Sequence, residues 1–375
     1  MSGIYIHIPF CKQACHYCNF HFSTSLKYKA EMIASIVKEI DLRKDYLSEK
    51  ALSSIYFGGG TPSLLNKKDL DQIFNALGSI YTWDDSTEIT LEANPDDLST
   101  TNLTDFKDAG INRLSIGIQS FDQADLTFMN RAHNAQEAEK SIKLAQDIGF
   151  ENISSDLIYG SPTTSNEIWQ ANIDKMISFG IPHISAYCLT VEEGTALHHF
   201  VSTGKSKPVD DVKASQQFDI LIKRLKQSGY DHYEISNFGK PTRYATHNTN
   251  YWMGIPYLGL GPAAHSFDGQ STRSWNIAHN PKYISRINEN TLPIEHEVLT
   301  EKEKYNEFVL IRLRTKWGID IETLNKSFAQ FADYFNENMA QFISDGKVIE
   351  QDEAFILTNA GKHLADRISM ELFVE

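Results

Sequence analysis

The residues best suited to chemistry in this chain are three cysteines near its start, Cys11, Cys15 and Cys18, which are spaced CxxxCxxC. Thiolate sulfur is the usual ligand of iron–sulfur clusters, and a cubane normally takes one cysteine on each of its four irons. Three cysteines leave one iron open, and an open iron can bind a small molecule and react with it. The spacing therefore predicts a [4Fe-4S] cluster with one exchangeable position.

A structural zinc site, a disulfide framework and coincidence could also account for these cysteines. Zinc sites usually add a second pair of ligands at a distance; His16 and His21 are close, but the fourth cysteine, Cys188, stands alone in an apolar run. Disulfide frameworks are typical of small secreted chains, and this chain has 375 residues. The spacing favours the cluster and leaves zinc and coincidence open.

A second candidate motif is the glycine run Gly58-Gly59-Gly60, which is followed by Thr61. Glycine lets a ligand approach the backbone, whose N–H groups then serve as donors. A glycine run is also ordinary in a tight turn, so this loop indicates a ligand site only in combination with other motifs.

Polar residues end several strand-like runs where a buried strand would prefer apolar ones. They are Glu92, Gln119 and Asp156, and Arg131 and His133 follow the run that ends at Gln119. Each one taken singly is better explained as a capping residue or an ion-pair partner. Their recurrence at successive strand ends predicts one polar ligand site.

These motifs form one site only if the fold brings the strand ends together. The sequence pattern of residues 1–236 predicts such a fold. Short runs rich in β-branched and aromatic residues alternate there with amphipathic helical stretches. The predicted strands are Ile4–Ile8, Ser54–Phe57, Glu88–Glu92, Arg113–Ile118, Asn152–Ile158 and His183–Leu189. Six such units predict an α/β fold, a partial (β/α)6 TIM-like barrel with its chemistry at the carboxyl ends of parallel strands. A flat, doubly wound sheet is the alternative.

A weak internal repeat supports this alternation. Gly110, Gly149, Gly180 and Gly229 each follow a helical stretch and precede the next strand. Glycine at such a position takes the left-handed conformation that ends a helix.

The pattern changes after residue 236. Residues 237–300 are rich in Asn, Gly, Pro, Tyr and Trp and have few regular periods, whereas residues 301–375 return to helical patterning with a hairpin-like break. We expect a core domain over 1–236 and a smaller α+β domain over 237–375, which is winged-helix-like from residue 301. That last segment has more acidic than basic residues, which disfavours DNA binding.

The overall composition excludes several functions. The net charge is −14, from 49 acidic and 35 basic residues, and such a surface repels phosphate backbones, so nucleic-acid binding is disfavoured. No apolar stretch is long enough to span a membrane, and no signal peptide precedes the first strand-like run. Because three of the four cysteines are clustered, the chain is expected to be cytoplasmic, in a reducing compartment.

A third motif is the run His247–Trp252, with the sequence HNTNYW. An imidazole nitrogen is a good axial ligand of haem iron, and Tyr251 and Trp252 offer flat apolar faces with polar tips. On the residues alone, a packed and hydrogen-bonded histidine is the more common case. His265, in the run GLGPAAHS, is a reserve candidate for a ligand.

In combination, the motifs resemble the radical S-adenosylmethionine (SAM) superfamily, and within it the oxygen-independent coproporphyrinogen III oxidase family. The resemblance rests on the cysteine loop with Tyr17 before its last cysteine, on Tyr5 ahead of the loop, and on the GGGTP sequence of residues 58–62. It covers nearly the whole chain and implies that the open iron chelates the amino and carboxylate groups of SAM. The residues that it implies around SAM are Tyr5, Tyr17, Gly59, Gly60, Thr61, Glu92, Gln119, Arg131 and Asp156.

Two features separate the chain from the oxidases themselves. Their cluster motif continues with a further cysteine where this chain has Phe20, and a long extension precedes the motif where only ten residues precede Cys11. These features and the HNxxYW run resemble the HemW-type haem chaperones, a branch of the same family. That branch implies a haem, with His247 as a ligand, and its transfer to an acceptor apoprotein that the sequence does not identify.

Two enzyme functions remain as alternatives to a chaperone. One is the radical-driven oxidative decarboxylation of coproporphyrinogen III, which the fold and cofactors of the oxidase family imply. The other is a zinc-stabilised barrel enzyme without redox chemistry. The sequence leaves open whether SAM is cleaved during the working cycle.

Overall fold

The computed structural model describes all 375 residues, and its largest feature is a single sheet of twelve strands. Six parallel strands in sequence order form its centre. They are β1 (Ser2–Ile8), β2 (Leu52–Gly59), β3 (Glu88–Ala93), β4 (Arg113–Gln119), β5 (Asn152–Tyr159) and β6 (His183–Cys188). All six predicted strands are confirmed. The sequential order contradicts the doubly wound alternative, in which the order reverses at a switch point.

The barrel is open, because the two outer strands of the parallel set, β1 and β6, do not pair with each other. β6 pairs with β8, and β1 pairs on its free side with β9, so six strands extend the sheet beyond the predicted six. They are β7 (Asp231–Glu234), β8 (Asn237–Gly239), β9 (Tyr257–Leu260), β10 (His265–Phe267), β11 (Thr272–Asn276) and β12 (Ile294–Val298).

Residues 237–300 are therefore more regular than we expected from their composition. Strands of three to five residues are too short to give a detectable period in the sequence. The predicted domain boundary at 236/237 stays a prediction; strands on both sides of it belong to the one sheet.

Helices follow the parallel strands as the alternation predicted. Those of the core and of the sheet extension are α1 (Lys29–Leu42), α2 (Lys67–Gly78), α3 (Thr100–Asp108), α4 (Gln123–Phe128), α5 (Ala135–Asp147), α6 (Asn166–Ser178), α7 (Ala196–Ser202), α8 (Asp211–Gln227), α9 (Thr246–Trp252) and α10 (Asn280–Asn288). The glycine repeat is confirmed, since Gly110, Gly149, Gly180 and Gly229 all have a φ between 67° and 102°. No helix combines the length and the apolar character needed to cross a bilayer.

The last segment has a hydrophobic core of its own, built from residues between Tyr305 and Leu372. Its helices and strands are α11 (Glu301–Leu313), β13 (Ile319–Asp320), α12 (Ile321–Ser327), α13 (Ala329–Ser344), β14 (Val348–Gln351), β15 (Ala354–Leu357), α14 (Asn359–Lys362) and α15 (Ala365–Glu371). The hairpin β14–β15 pairs with β13, so helices and a three-stranded sheet form the winged-helix-like arrangement that we predicted.

The sheet extension is held to α1 by a buried carboxylate, Glu39. This side chain accepts hydrogen bonds from the backbone N–H of Gly261 at 2.8 Å, from Asn276 Nδ2 at 2.8 Å and from the Tyr283 hydroxyl at 2.5 Å. Arg43 lies 3.4 Å from the same carboxylate. A buried charge is tolerated only with such partners, so Glu39 fixes β9, β11 and α10 to the core.

Alternate residues of the parallel strands face a shared interior, which we call the lumen. Pairing places Tyr5 opposite Tyr56, and Glu92 opposite Ser115. Partners in a parallel pair lie on the same face of the sheet, and the Tyr56 hydroxyl donates to Glu92 at 2.7 Å across that face. The lumen wall is therefore polar, unlike the apolar core of a closed barrel.

Candidate functional site

The three cysteines lie in a loop that starts directly after β1 and folds back on itself. The Cys11 backbone N–H donates to the Ser23 carbonyl at 3.0 Å, and the Cys18 N–H donates to the Cys15 carbonyl at 3.3 Å. All three thiols are free and partly exposed. The loop presents them at the carboxyl end of β1, beside the lumen.

The donor set of this loop fits a cluster better than it fits a single ion. No three His, Cys, Asp or Glu side chains converge closely enough to ligate one metal ion, whereas a cubane takes each cysteine on a different iron. Burial raises the pKa of the Cys11 thiol to about 11, although a hydrogen bond with Thr61 opposes this shift. Bound iron would reverse it, because a coordinating thiol is deprotonated.

Arg131 ties the cysteine loop to the ends of β3 and β4. Its guanidinium donates to Asn94 Oδ1 at 2.8 Å, to the Gly117 carbonyl at 2.9 Å and to Cys15 Sγ at 3.2 Å. Its Nε–H is buried and has no acceptor in the protein. Because buried donors are nearly always paired, this orphaned donor fits an acceptor, such as a carboxylate, on a group bound beside the cysteines.

Two tyrosines border the same region. Tyr17 lies with its hydroxyl 3.5 Å from Arg131 Nη1. The Tyr5 hydroxyl is 3.2 Å from His7 Nδ1, and its ring stacks on Tyr56 at a centroid distance of 6.1 Å. Burial raises the pKa of both phenols, so both remain neutral hydroxyls at physiological pH.

The glycine loop is explained first by close packing of β1 and β2. A Cβ on Gly59 would lie 2.5 Å from the His7 ring, and one on Gly60 would lie 2.6 Å from the Phe10 carbonyl oxygen. Gly59 also has a φ of +102°, which disfavours any side chain. Thr61 is buried, and its N–H donates to the Phe10 carbonyl at 2.7 Å. Local packing alone therefore demands glycine here, and contact with SAM stays a prediction.

Glu92 and Asp156 face the lumen from β3 and β5, the two strands that flank β4, and their charges interact. Burial raises the pKa of Glu92 to about 7; the Tyr56 hydrogen bond opposes the shift, and the charge of Asp156 adds to it. Burial likewise raises the pKa of Asp156 to about 6, against hydrogen bonding by Ser185. The two carboxyl groups can accept hydrogen bonds from hydroxyl or ammonium groups, and a bound cation would favour their ionised forms.

Gln119 ends β4 in a strained backbone conformation. Its φ is +66°, and the register of β4 with β5 shifts between Ile116 and Gln119. A non-glycine residue in this region costs about 1 kcal/mol or more, and such strain clusters at functional sites. The strained turn leaves Gln119 buried next to Gly117, within the group of predicted SAM residues.

His247 lies elsewhere, at the amino-terminal end of the parallel strands. Its Nδ1 is 2.9 Å from the Ser54 hydroxyl, its ring stacks on Tyr56 at 5.0 Å, and its backbone N–H donates to Glu88 at 3.1 Å. Burial lowers the pKa of this imidazole to about 4. The HNxxYW run therefore forms α9, which covers the opposite end of the lumen from the cysteines.

The space beside His247 is small. The adjoining cavity has a volume of about 10 Å³, which is room for one water molecule. Tyr251 points outward and is 49% exposed. Iron ligation by His247 stays a prediction, and it requires α9 to move away from β2.

Sequence analysis missed two residues that the structure brings into the site. Tyr56 precedes Gly58 by two positions, so the strand period places both on the lumen face, and Asn94 follows Glu92 by two. Tyr56 fixes Glu92, and Asn94 fixes Arg131. The alternation along β2 and β3 was the available signal.

Comparisons with known proteins agree with this arrangement. Residues 5–176 match the family description "Radical SAM superfamily", and residues 299–364 match "HemN C-terminal domain". The coproporphyrinogen III oxidase HemN of Escherichia coli has the same fold, with a TM-score of 0.81 over 100% of this chain and 90% of that one, at 23% identity.

Relatives of similar length are more alike in sequence. The chain is 31% identical to the heme chaperone HemW of Bacillus subtilis over 98% of both proteins. It is 30% identical to the heme chaperone HemW of Escherichia coli K12 over 99% of this chain and 98% of that protein. This chain therefore belongs to the HemW family of radical SAM proteins.

Proposed function

We propose that this chain binds haem and passes it to an acceptor protein, and that it carries a [4Fe-4S] cluster and SAM. The observation that carries the proposal is the similarity over 98% of the chain to proteins named heme chaperones. The identity to these proteins, 31% and 30%, is higher than the 23% identity to HemN, which supports the chaperone branch in particular. The haem acceptor is not identified by any of these observations.

The residues at the strand ends support the cofactor part of the proposal. Cys11, Cys15 and Cys18 would each ligate one iron. A cluster held this way supplies an open coordination site and a one-electron donor. The chain's proposed SAM contacts are Tyr5, Tyr17, Gly59, Gly60, Thr61, Glu92, Gln119, Arg131 and Asp156.

The electrostatics of these residues suit a ligand with separated charges. Arg131 offers its unpaired Nε–H to a carboxylate, since that donor has no protein acceptor. Glu92 and Asp156, which face the lumen from β3 and β5, would accept hydrogen bonds from ammonium or hydroxyl groups of the ligand. The Tyr56 hydroxyl holds Glu92 in place at 2.7 Å, so the acceptor is oriented before the ligand arrives.

In this proposal, cluster and SAM act structurally or as a switch that sets when haem is released. A cytoplasmic location is part of the proposal, because partly exposed cysteines that must stay reduced suit a reducing compartment.

Anaerobic reconstitution with iron and sulfide, followed by titration with haemin, tests the proposal. We expect a brown protein that shifts the Soret band of haemin and then loses haem to added apomyoglobin, which serves as a generic acceptor. A 5′-deoxyadenosine assay on the same sample reports SAM cleavage. Absence of saturable haem binding by the reconstituted protein would contradict the chaperone function.

Oxidative decarboxylation of coproporphyrinogen III is the second candidate, and the fold shared with HemN is the observation in its favour. Phe20 stands where the oxidases carry a further cysteine, which favours the chaperone. Anaerobic growth of a strain lacking its own oxidase, restored by this chain, would decide for the enzyme.

A further inference from the structure

Tyr56 of β2 contacts one residue of each predicted ligand site, and so it links the two sites physically. Its hydroxyl donates to Glu92 Oε1 at 2.7 Å, and Glu92 is a predicted SAM contact. Its ring stacks on the imidazole of His247, the predicted haem ligand, at a centroid distance of 5.0 Å and an interplanar angle of 29°. A single side chain therefore spans the lumen between the SAM residues and α9.

The surroundings of Tyr56 are closely packed at Gly58 and open towards the lumen. A Cβ on Gly58 would lie 2.9 Å from the Tyr56 ring, 3.0 Å from the Tyr5 ring and 3.1 Å from Glu92 Oε1, so the glycine lets these three side chains approach one another. Tyr5, Tyr56 and Glu92 are nevertheless half-buried, whereas the strand residues on either side of each are buried. The lumen therefore has accessible space in which a bound group can reach Glu92 and in which the Tyr56 ring can shift.

The helix that carries His247 is held by polar and stacking contacts, and not by buried side chains. None of the seven residues of α9 is buried, and no side chain caps its amino terminus. His247 Nδ1 is 2.9 Å from Ser54 Oγ, Asn250 Nδ2 donates to Ser53 Oγ at 2.9 Å, and the His247 N–H donates to Glu88 at 3.1 Å. Segments with few buried contacts open at a low cost in free energy. We therefore expect α9 to open without unfolding of the sheet.

The closed position of α9 leaves no room for a large ligand on His247. The adjoining cavity has a volume of about 10 Å³, which is room for one water molecule. Haem bound to His247 therefore requires the open position. Any contact that exists only in the closed position, such as the stack of Tyr56 on His247, weakens haem binding by the free energy that it contributes to closure.

A ligand group on Glu92 would stabilise the closed position through Tyr56. When an ammonium or hydroxyl group donates to Glu92, the carboxylate becomes fixed in orientation, and a cation also keeps it ionised. Hydrogen bonds to an ionised acceptor are stronger than those to a neutral one, so the Tyr56 hydroxyl is held more firmly. The Tyr56 ring then stays against His247, and α9 stays closed.

We propose that Tyr56 couples the two sites, so that SAM bound at Glu92 holds α9 closed and lowers the affinity of His247 for haem. This inference rests on the proposed function, because that function supplies both ligands. It gives the switch a direction, in which SAM binding favours haem release. By linkage, haem weakens SAM binding by the same factor. Tyr56 acts through Glu92 and His247, and it is therefore a positioning residue.

Hydrogen exchange of α9 tests the link from Glu92 to α9 without haem. The reconstituted protein is kept with an oxidised cluster, so that SAM stays intact, and is compared with and without SAM at a concentration that saturates each variant. We expect SAM to slow exchange in residues 246–252 about fivefold in wild type and to leave it unchanged in Tyr56→Phe. Tyr81→Phe is the matched control, because the buried Tyr81 hydroxyl has no partner, and it should behave as wild type. Equal protection of α9 by SAM in Tyr56→Phe and wild type would overturn the proposal.

Titration with haemin, with and without SAM, tests the link from α9 to haem. We expect SAM to raise the haemin Kd about fivefold in wild type and less than about twofold in Tyr56→Phe. Ser54→Ala removes the partner of His247 but keeps Tyr56 and Glu92, so it should bind haemin more tightly and retain the fivefold effect of SAM.

The Ser54→Ala variant distinguishes coupling through Tyr56 from a general loosening of α9. If SAM no longer changed the haemin Kd of Ser54→Ala, any loosening of the helix would abolish the coupling, and the specific role of Tyr56 would be wrong. If the wild-type protein binds no haemin at all, the proposed function fails, whereas the exchange measurement still decides whether Tyr56 connects Glu92 to α9.

Discussion

The guanidinium of Arg131 donates a hydrogen bond to the sulfur of Cys15 at 3.2 Å, and the same side chain bonds Asn94 and the Gly117 carbonyl. One residue thus links the cysteine loop to the ends of two strands. Arg131 therefore orients the loop, and its charge lies beside a sulfur that would ligate iron.

Replacing Arg131 with methionine should make the cluster less stable. The variant keeps roughly the length of the side chain but loses the charge and the hydrogen bonds to Cys15, Asn94 and Gly117. Charge-assisted hydrogen bonds contribute about 1.5–3 kcal/mol each. We therefore expect a chelator to remove the reconstituted cluster about tenfold faster than from wild type. The decay of cluster absorbance under anaerobic conditions measures this rate. Lys140→Met, on the exposed side of α5, is the control, and equal decay of both variants would contradict the role.

Glu92 should make the stability of the cluster-free protein depend on pH. Its pKa is raised from 4.5 to about 7, mainly by burial, so the folded protein binds more protons than the unfolded chain between these values. The stability contributed by the protonated form is complete below the unfolded pKa and is lost as pH rises through about 7. Between pH 5 and pH 8, the free energy of unfolding of Glu92→Gln should therefore rise by about 2 kcal/mol relative to that of wild type.

Urea unfolding of reduced, cluster-free protein at a series of pH values measures this difference. Glu151→Gln is the control, because Glu151 is exposed and solvent screens its charge. If the free energies of unfolding of wild type and of Glu92→Gln changed in parallel from pH 5 to pH 8, the pKa of Glu92 would not be raised in the folded protein.

The predictions from sequence were most accurate where local pattern and geometry coincide. Strands β1 to β6 each had a run of β-branched or aromatic residues, and glycines such as Gly110 mark helix ends because few other residues adopt a positive φ. The predicted parallel strands were enough to bring Glu92 and Asp156 near each other, although Asp156 lies three residues before the end of β5.

Long-range packing was not visible in the same way. Nothing near His247 in the sequence indicates that it meets Ser54 at the far end of the lumen, since 193 residues separate the two. A charged residue such as Glu39 in an amphipathic helix is expected at the surface, yet Glu39 is fully buried. Its partners come from strands that are too short to have a period of their own.

Replacing His247 with phenylalanine separates packing from iron ligation. The ring should still stack on Tyr56, but Ser54 loses its partner, so we expect a stability loss of about 1 kcal/mol, measured by urea unfolding. Titration of the folded variant with haemin tests the second role. Affinity within about twofold of wild type would mean that His247 only packs, and a folded variant that no longer binds haemin would favour the HNxxYW run as the ligand and an opening of α9.

Removing the Glu39 carboxylate should release the sheet extension from the core. Glu39→Ala leaves the Tyr283 hydroxyl, Asn276 and Arg43 without their shared acceptor, and breaking such a buried network costs about 3–5 kcal/mol. Hydrogen exchange should then rise in residues 257–276 more than in β2 or β3, because these residues are tied to α1 through Glu39. The exposed Asp41 of the same helix is the control, and Asp41→Ala should stay within about 0.5 kcal/mol of wild type. Protection lost evenly over the whole chain would mean that Glu39 supports global stability without holding this segment in particular.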